Sequence, residues 1–229
     1  MSAGFRNMFA VLLLVTVFTG CSRPARDANS SVTSKSKNSS ASPSSNFDYY
    51  LLALSWAPEF CAAHGSDAAS SECDPRHHFG LVVHGLWPQN NDDTHPQNCA
   101  PARPVAEQTV QHMLAVMPAR GLIQHEWATH GTCSGLAAQD YFAAIEKAFK
   151  ALQVPSEYRA PPQTIRASPS DIKQKFADAN HAPRGAFRVS CSKGEFTALQ
   201  VCLTPDLQYR DCGSLRDCRA RQVTILPVP

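Results

Sequence analysis

Two short stretches carry the side chains best suited to chemistry. Residues 82–89 (VVHGLWPQ) put His84 where an apolar run meets a glycine-containing turn, with Trp87 just beyond. Residues 125–133 (HEWATHGTC) bring His125, Glu126 and His130 close together in sequence. The second stretch opens like the zinc-peptidase signature His-Glu-x-x-His, in which histidines four apart on one helical face share an ion. Here the spacing is five. At about 100° per residue the two rings lie roughly 140° apart on an ideal helix, so one ion does not bridge them. Two readings remain: a buried helix end whose polar groups serve structure, or an acid–base site that needs no metal. Taken alone, His84 fits packing and ligand contact equally well. A histidine at the mouth of a strand, followed by a tryptophan, sits where ligands are met, and the two clusters together favour catalysis. Imidazole titrates at about 6.5, so a neutral and a protonated histidine can work as a pair at mild pH. Placed on opposite sides of a phosphorus, the base takes a proton from a neighbouring hydroxyl and the acid protonates the leaving oxygen. Further donors stabilise the charge on the phosphoryl oxygens. RNA supplies its own nucleophile, the 2′-hydroxyl, so this chemistry requires no metal-bound water.

These side chains need a scaffold, and hydrophobic patterning predicts one. FDYYLLALSW (47–56) reads as a strand ending before Pro58, and FGLVVH (79–84) as another, closed by Gly85 and Pro88. PVAEQTVQHMLAVM (104–117) spaces Val110, Met113, Leu114 and Met117 as a helix that stops at Pro118. QDYFAAIEKAFKAL (139–152) is the clearest amphipathic helix, with Tyr141, Phe142, Ile145, Phe149 and Leu152 on one face. Ser168 as N-cap, Pro169 at N1 and Asp171 at N3 open a helix through Phe176. FRVSC (187–191) and EFTALQVCL (195–203) flank Ser192-Lys193-Gly194, a hairpin signal, and RQVTILPV (221–228) reads as a last strand. Strands at both ends with helices between them predict an α+β fold, a central and mostly antiparallel sheet flanked by helices.

The chain has 229 residues, 43% of them hydrophobic, which allows one domain with a real core. No internal repeat interrupts it. The first twenty residues stand apart. Arg6 precedes an apolar run, Met8 to Thr19, too short to span a bilayer and suited to a signal-peptide core. Phe18-Thr19-Gly20-Cys21 resembles the cleavage site of bacterial lipoproteins. Residues 1–20 are therefore expected to be a lipoprotein-type signal peptide and Cys21 the lipidated N-terminus. Phe18 is less usual at its position, and ordinary cleavage nearby is the alternative. Residues 21–46 are Ser-rich and without aromatics after Cys21, too polar to offset the entropy of ordering, and read as a flexible tether. Residues 47–229 form the folded domain. Beyond Cys21 the cysteines number eight, which in an exported domain predicts four disulfides. No Cys-x-x-Cys pair occurs among them, against a cysteine-ligated zinc. The domain is expected outside the cytoplasm, periplasmic or membrane-anchored, with secretion as the alternative. Net charge is +2, of which residues 1–46 contribute +4 (Arg6, Arg23, Arg26, Lys35 and Lys37 against Asp27), leaving the folded part at −2. A broad basic face is not required, and any chemistry on a polyanion must rest on a local site.

HGLWPQ (84–89) and HEWATHGTC (125–133) resemble the two active-site segments of the T2 family of acid ribonucleases. The resemblance runs through most of residues 47–229, including the YLLALSW start and the order of the cysteines. It implies an α+β fold and endonucleolytic cleavage of single-stranded RNA through a 2′,3′-cyclic phosphate. It also implies little base specificity and no metal or other cofactor. Residue by residue, His84 matches the general acid towards the 5′-oxygen and His130 the general base on the 2′-hydroxyl. His125 matches a phosphate-binding histidine, and Glu126 an acid that supports the transition state. Trp87 matches an aromatic lining the base and phosphate pocket, packing under the turn being its alternative role; Gln89, closing the same segment, falls on the substrate side. Many members carry lysine before the last histidine, where this chain has Thr129. A hydroxyl does not supply that charge, so His125 as imidazolium or another cation compensates, or turnover is lower. The resemblance pairs Cys99 with Cys133, tying the two motifs together, and further implies Cys61–Cys73, Cys191–Cys218 and Cys202–Cys212. Other classes remain on the table: Cys133 as a thiol nucleophile beside His130, a catalytically silent RNA-binding lipoprotein marked by Thr129, or a zinc hydrolase. The expected partner is single-stranded RNA, with the membrane met only through Cys21; a monomer is expected and no obligate protein partner.

Overall fold

The first strand, β1 (Tyr49–Trp56), is apolar along its length because it is buried on both faces. Tyr50, Leu52, Leu54 and Trp56 enter the main core, while Tyr49 and Leu51 join a smaller cluster with Cys202 and Cys212. These features come from a computed structural model that describes residues 47–229 apart from 66–70, 75 and 93. The expected signal peptide, the tether and Cys21 lie outside the described residues.

Beside β1 runs β2 (Leu81–Gln89), antiparallel, at the edge of the sheet. The predicted strand was closed by Gly85 and Pro88, yet β2 continues through both. An edge strand tolerates a proline because one of its sides has no ladder to donate to. The remaining strands are β3 (Ile165–Ala167), β4 (Phe187–Ser192), β5 (Glu195–Leu203) and β6 (Val223–Ile225). They form one sheet in the order β2-β1-β5-β6-β3, with β4 paired to β5. All pairings are antiparallel except the short β5–β6 contact. The β4–β5 hairpin turns on Lys193 (φ 50°) and Gly194 (φ 85°), both in the left-handed region that a two-residue hairpin requires.

The helices are α1 (Ala57–His64), α2 (Glu107–Met113), α3 (Arg120–Thr129), α4 (Ala138–Ala151), α5 (Ser156–Arg159) and α6 (Pro169–Asn180). Ser168 caps α6 by accepting the Asp171 N–H at 3.0 Å, as its sequence predicts, and the helix runs on past Phe176. In place of the longer predicted helix, α2 ends at Met113. The turn that follows gives its Val116 carbonyl to the Val83 N–H at 2.9 Å, satisfying the open edge of β2. The last strand is also shorter than predicted, and beyond it the Leu226 carbonyl accepts the Trp56 indole N–H at 3.0 Å. Helices α2, α3, α4 and α6 lay apolar faces on one side of the sheet, burying Met113, Ile123, Tyr141, Phe142, Ile145 and Phe176. Four disulfides, Cys61–Cys73, Cys99–Cys133, Cys191–Cys218 and Cys202–Cys212, staple the loops. Among the described residues no helix is long and apolar enough to cross a membrane.

Candidate active site

Strict alternation along β2 would turn Val83 and Leu86 to opposite faces, yet both are core residues. The conflict is resolved by a β-bulge. Ala53 pairs with Gly85 and Leu54 with Val83, so His84 is the extra residue. Bulges re-aim a side chain, and here the imidazole leaves the core with 45% of its surface exposed. Its Nδ1 lies 3.4 Å from the Ser55 hydroxyl on β1, and its Nε2 lies 3.6 Å from Glu126 Oε1.

The second cluster comes from the last turn of α3. Glu126 and His130, four apart, both turn inward; His125 and Thr129 occupy the outer strip, His125 Nδ1 lying 3.5 Å from the Thr129 hydroxyl. Glu126 is 1% exposed and accepts the Trp87 indole N–H at 2.7 Å. Only a glycine at 85 permits this approach: a Cβ there would lie 2.0 Å from Glu126 Oε2 and 2.5 Å from Trp87 Nε1. Carbonyls left over at the end of α3 find donors outside the helix. The Thr129 carbonyl accepts the Asn98 N–H at 2.8 Å, and that of Ala128 accepts the Thr132 hydroxyl at 3.0 Å. The adjacent Cys99–Cys133 bond fixes this end to the loop that follows β2.

Trp87 is the centre of the arrangement. Its ring centroid lies 5.6 Å from that of His84, edge-on, and 5.2 Å from that of His130. Two imidazoles thus flank one indole, whose N–H holds the buried carboxylate. Burial pushes the Glu126 carboxyl up to about 7, with the Trp87 hydrogen bond opposing the rise. Burial likewise brings His130 down to about 4, helped by the positive charges of His125, His84 and His95. His84 is lowered by burial and then by His125. His130 Nδ1 is buried without a hydrogen-bond partner among the described residues. His130 is thus a neutral base over most of the accessible pH range, His84 a half-exposed imidazole able to deliver a proton, and Glu126 a carboxylic acid below neutrality. No three His, Cys, Asp or Glu side chains among the described residues are grouped to hold a metal ion.

His84, Trp87, Glu126 and His130 come together as one cluster, and His125 sits on its exposed rim. Gln89 lies buried at the end of β2, its amide donating to the Pro88 carbonyl at 2.9 Å. Two further residues, Ser55 and Tyr141, belong to the site and escaped sequence reasoning. Ser55 meets His84. Tyr141 touches both motifs: its hydroxyl donates to the Leu86 carbonyl at 2.9 Å, and a Cβ on Gly131 would meet its ring at 2.9 Å. On an amphipathic helix a phenol reads as core, its polar end invisible until a partner is known. A cleft of about 380 Å³ adjoins His84, lined by Ser55, Phe60, Val82, Leu122 and Ala198.

A bulged histidine facing a helix-borne Glu–His pair, on an α+β fold stapled by four disulfides, defines a class of acid–base centre built without cysteine chemistry: Cys133 is tied up in its disulfide. The sequence model of the ribonuclease T2 family matches residues 47–212, and the chain belongs to that family. A protein of Haemophilus influenzae named "Probable ribonuclease" is 40% identical over 124 residues, 48% of this chain and 45% of the relative. A ribonuclease of Aeromonas hydrophila is 43% identical over 97 residues, 42% of this chain and 41% of the relative. The chain thus matches less than half the length of each of these curated relatives. Among solved structures, an RNase-related protein from Calystegia sepium aligns with a TM-score of 0.63 at 25% identity, covering 79% of this chain and 97% of that one.

Proposed function

We propose that the chain is an exported endoribonuclease that cleaves single-stranded RNA by internal transphosphorylation, without a metal. The observation that carries the reading is the pair of imidazoles, His84 and His130, flanking Trp87 beside a carboxyl buried in contact with both the indole and His84. Neutral His130 takes the 2′-hydroxyl proton as the 2′-oxygen bonds to phosphorus. The bond from phosphorus to the 5′-oxygen breaks, and that oxygen takes a proton from His84. The product is a 2′,3′-cyclic phosphate, which water opens in the reverse sense, with the histidines exchanging roles. Glu126, held as an acid below about 7, supports the transition state from beneath the site, through the Trp87 indole it holds and the His84 imidazole 3.6 Å away. His125 on the rim binds the phosphate, a task that Thr129 does not share. The leaving nucleoside takes the cleft beside His84, and the nucleoside that keeps its 2′-hydroxyl lies towards Trp87. An aromatic face accepts any base, which supports low base specificity. The names of the bacterial relatives support the activity, and the disulfides together with the apolar N-terminal run support an oxidising, extracytoplasmic compartment. Cys21 is its lipid anchor in this reading; the mass of the mature N-terminus tests that part.

The purified protein is expected to degrade RNA in the presence of EDTA. His84→Ala and His130→Ala are each expected to lower the rate by about 10³-fold or more. Cleavage that appears only on adding metal, or that survives both substitutions, contradicts the reading.

A further inference from the structure

The assignment of acid and base gives the RNA a direction. With His130 on the 2′-hydroxyl and His84 on the 5′-oxygen, the leaving nucleoside lies towards Ser55 and the retained one towards Trp87. Beyond Trp87, β2 runs on to Gln89, whose partner across the ladder is Tyr49, the first residue of β1. A strand rises about 3.3 Å per residue, so Gln89 lies about 7 Å beyond Trp87. Tyr49, Leu51 and Trp87 pack in one cluster, so this end of the sheet is continuous with the indole at the centre of the site.

A guanidinium is held at that end. Arg210 lies over the Tyr49 ring, 4.4 Å from its centroid. Its Nη2 donates to Asn91 Oδ1 at 3.0 Å and its Nε to the Asp211 carbonyl at 3.0 Å. Asn91 is in turn fixed by its own N–H, which donates to Asp48 at 2.8 Å. None of the ion pairs among the described residues includes Arg210. An arginine carries five N–H donors, and two are spent on the clamp. The rest are pre-oriented in a planar fork, the geometry that takes a phosphate in bidentate fashion. The clamp also removes part of the entropy that a free arginine would lose on binding. In a domain whose formal charge is −2, Arg210 is a fixed cation outside the ion pairs, at the end of the sheet that also packs Trp87.

We propose that Arg210, clamped by Tyr49 and Asn91, is a subsite for the RNA backbone phosphate immediately upstream of the one that is cleaved. The proposal rests on the ribonuclease reading above and adds a preference: substrates carrying an upstream phosphate react faster.

The test compares a dinucleoside phosphate with the same molecule bearing a 5′-phosphate, by kcat/KM at low salt. The wild-type protein is expected to prefer the phosphorylated substrate by about tenfold, the worth of one charged hydrogen-bonded contact. Arg210→Gln brings the ratio to about one, and Arg210→Lys leaves it in between. The ratio is taken within one preparation, so partial loss of folded protein cancels. For the phosphorylated substrate, the slope of log kcat/KM against log salt flattens by about 0.7 in Arg210→Gln, the value for one neutralised phosphate on a single strand. A wild-type ratio near one, or a ratio that Arg210→Gln leaves unchanged, overturns the subsite and leaves the nuclease standing. A protein that cleaves neither substrate defeats both.

Discussion

Glu126 is the residue whose environment says most about working conditions. A carboxyl 1% exposed, held by an indole N–H, favours its neutral form up to about 7. Its neighbours move the other way: burial and like charges depress both His84 and His130. The pH profile follows with a definite sign. His130 must be neutral to act as base, so kcat/KM rises with pH through about 4. His84 must be protonated to act as acid, so kcat/KM falls again, at a pH below the ordinary histidine value of about 6.5. A bell lying wholly on the acid side of neutrality is the expected profile; an optimum above pH 7 would separate these histidines from catalysis. Stability offers an independent reading. The folded-state value of Glu126 is raised, so its contribution is fully present below about 4.5 and is lost as pH climbs through about 7. Replacing it by an amide removes that dependence. Glu126→Gln is expected to gain stability relative to wild type between pH 4.5 and 8, by on the order of 3 kcal/mol, while losing activity. Thermal melting across that range checks the first part.

At the scale of elements, the site depends on a bulge in β2 and on one residue of α4. A Cβ at position 85 would meet the Glu126 carboxylate and the Trp87 N–H far inside contact distance. Gly85→Ala is expected to cost about 1–3 kcal/mol of stability through forced repacking and at least about 10²-fold in rate through the displaced carboxyl. Tyr141→Phe removes the hydrogen bond to the Leu86 carbonyl and leaves that buried acceptor bare, at about 1–3 kcal/mol by denaturant titration. Neither element was fully legible beforehand. The sequence of β1 declares a strand because its apolar run is long and ends at a proline. β2 declares only its first half: local pattern does not reveal that Pro88 sits on an edge, or that Val83 and Leu86 must share a face. Both facts depend on pairing with β1, and the bulge that aims His84 is a product of that pairing. For α3 the spacing did carry information. The divergence of His125 from His130 around the helix is realised, one exposed and one buried. The convergence of Glu126 and His130 on His84 came from the resemblance of the motifs, since no periodicity relates positions so far apart. Tyr141, legible as core, concealed its hydroxyl.

For the molecule as a whole, the two motifs belong to different parts of the chain and are held in register by packing and by the Cys99–Cys133 bond. That bond closes a loop of sequence separation 34, worth about 4 kcal/mol in chain entropy. Replacing both cysteines by serine is expected to lower the melting temperature by on the order of 10 °C and to reduce kcat more than it raises KM, because the end of α3 carries His130. Packing and disulfides fix the scaffold, while the proposed chemistry depends on His84 and His130 acting on a single phosphodiester. The most direct measurement is phosphorus NMR of a dinucleoside phosphate turning over in EDTA. A 2′,3′-cyclic phosphate is expected to build up first and to convert only later to the 3′-phosphate. Release of a 5′-phosphate, or of a 3′-phosphate with no cyclic species before it, would contradict that chemistry.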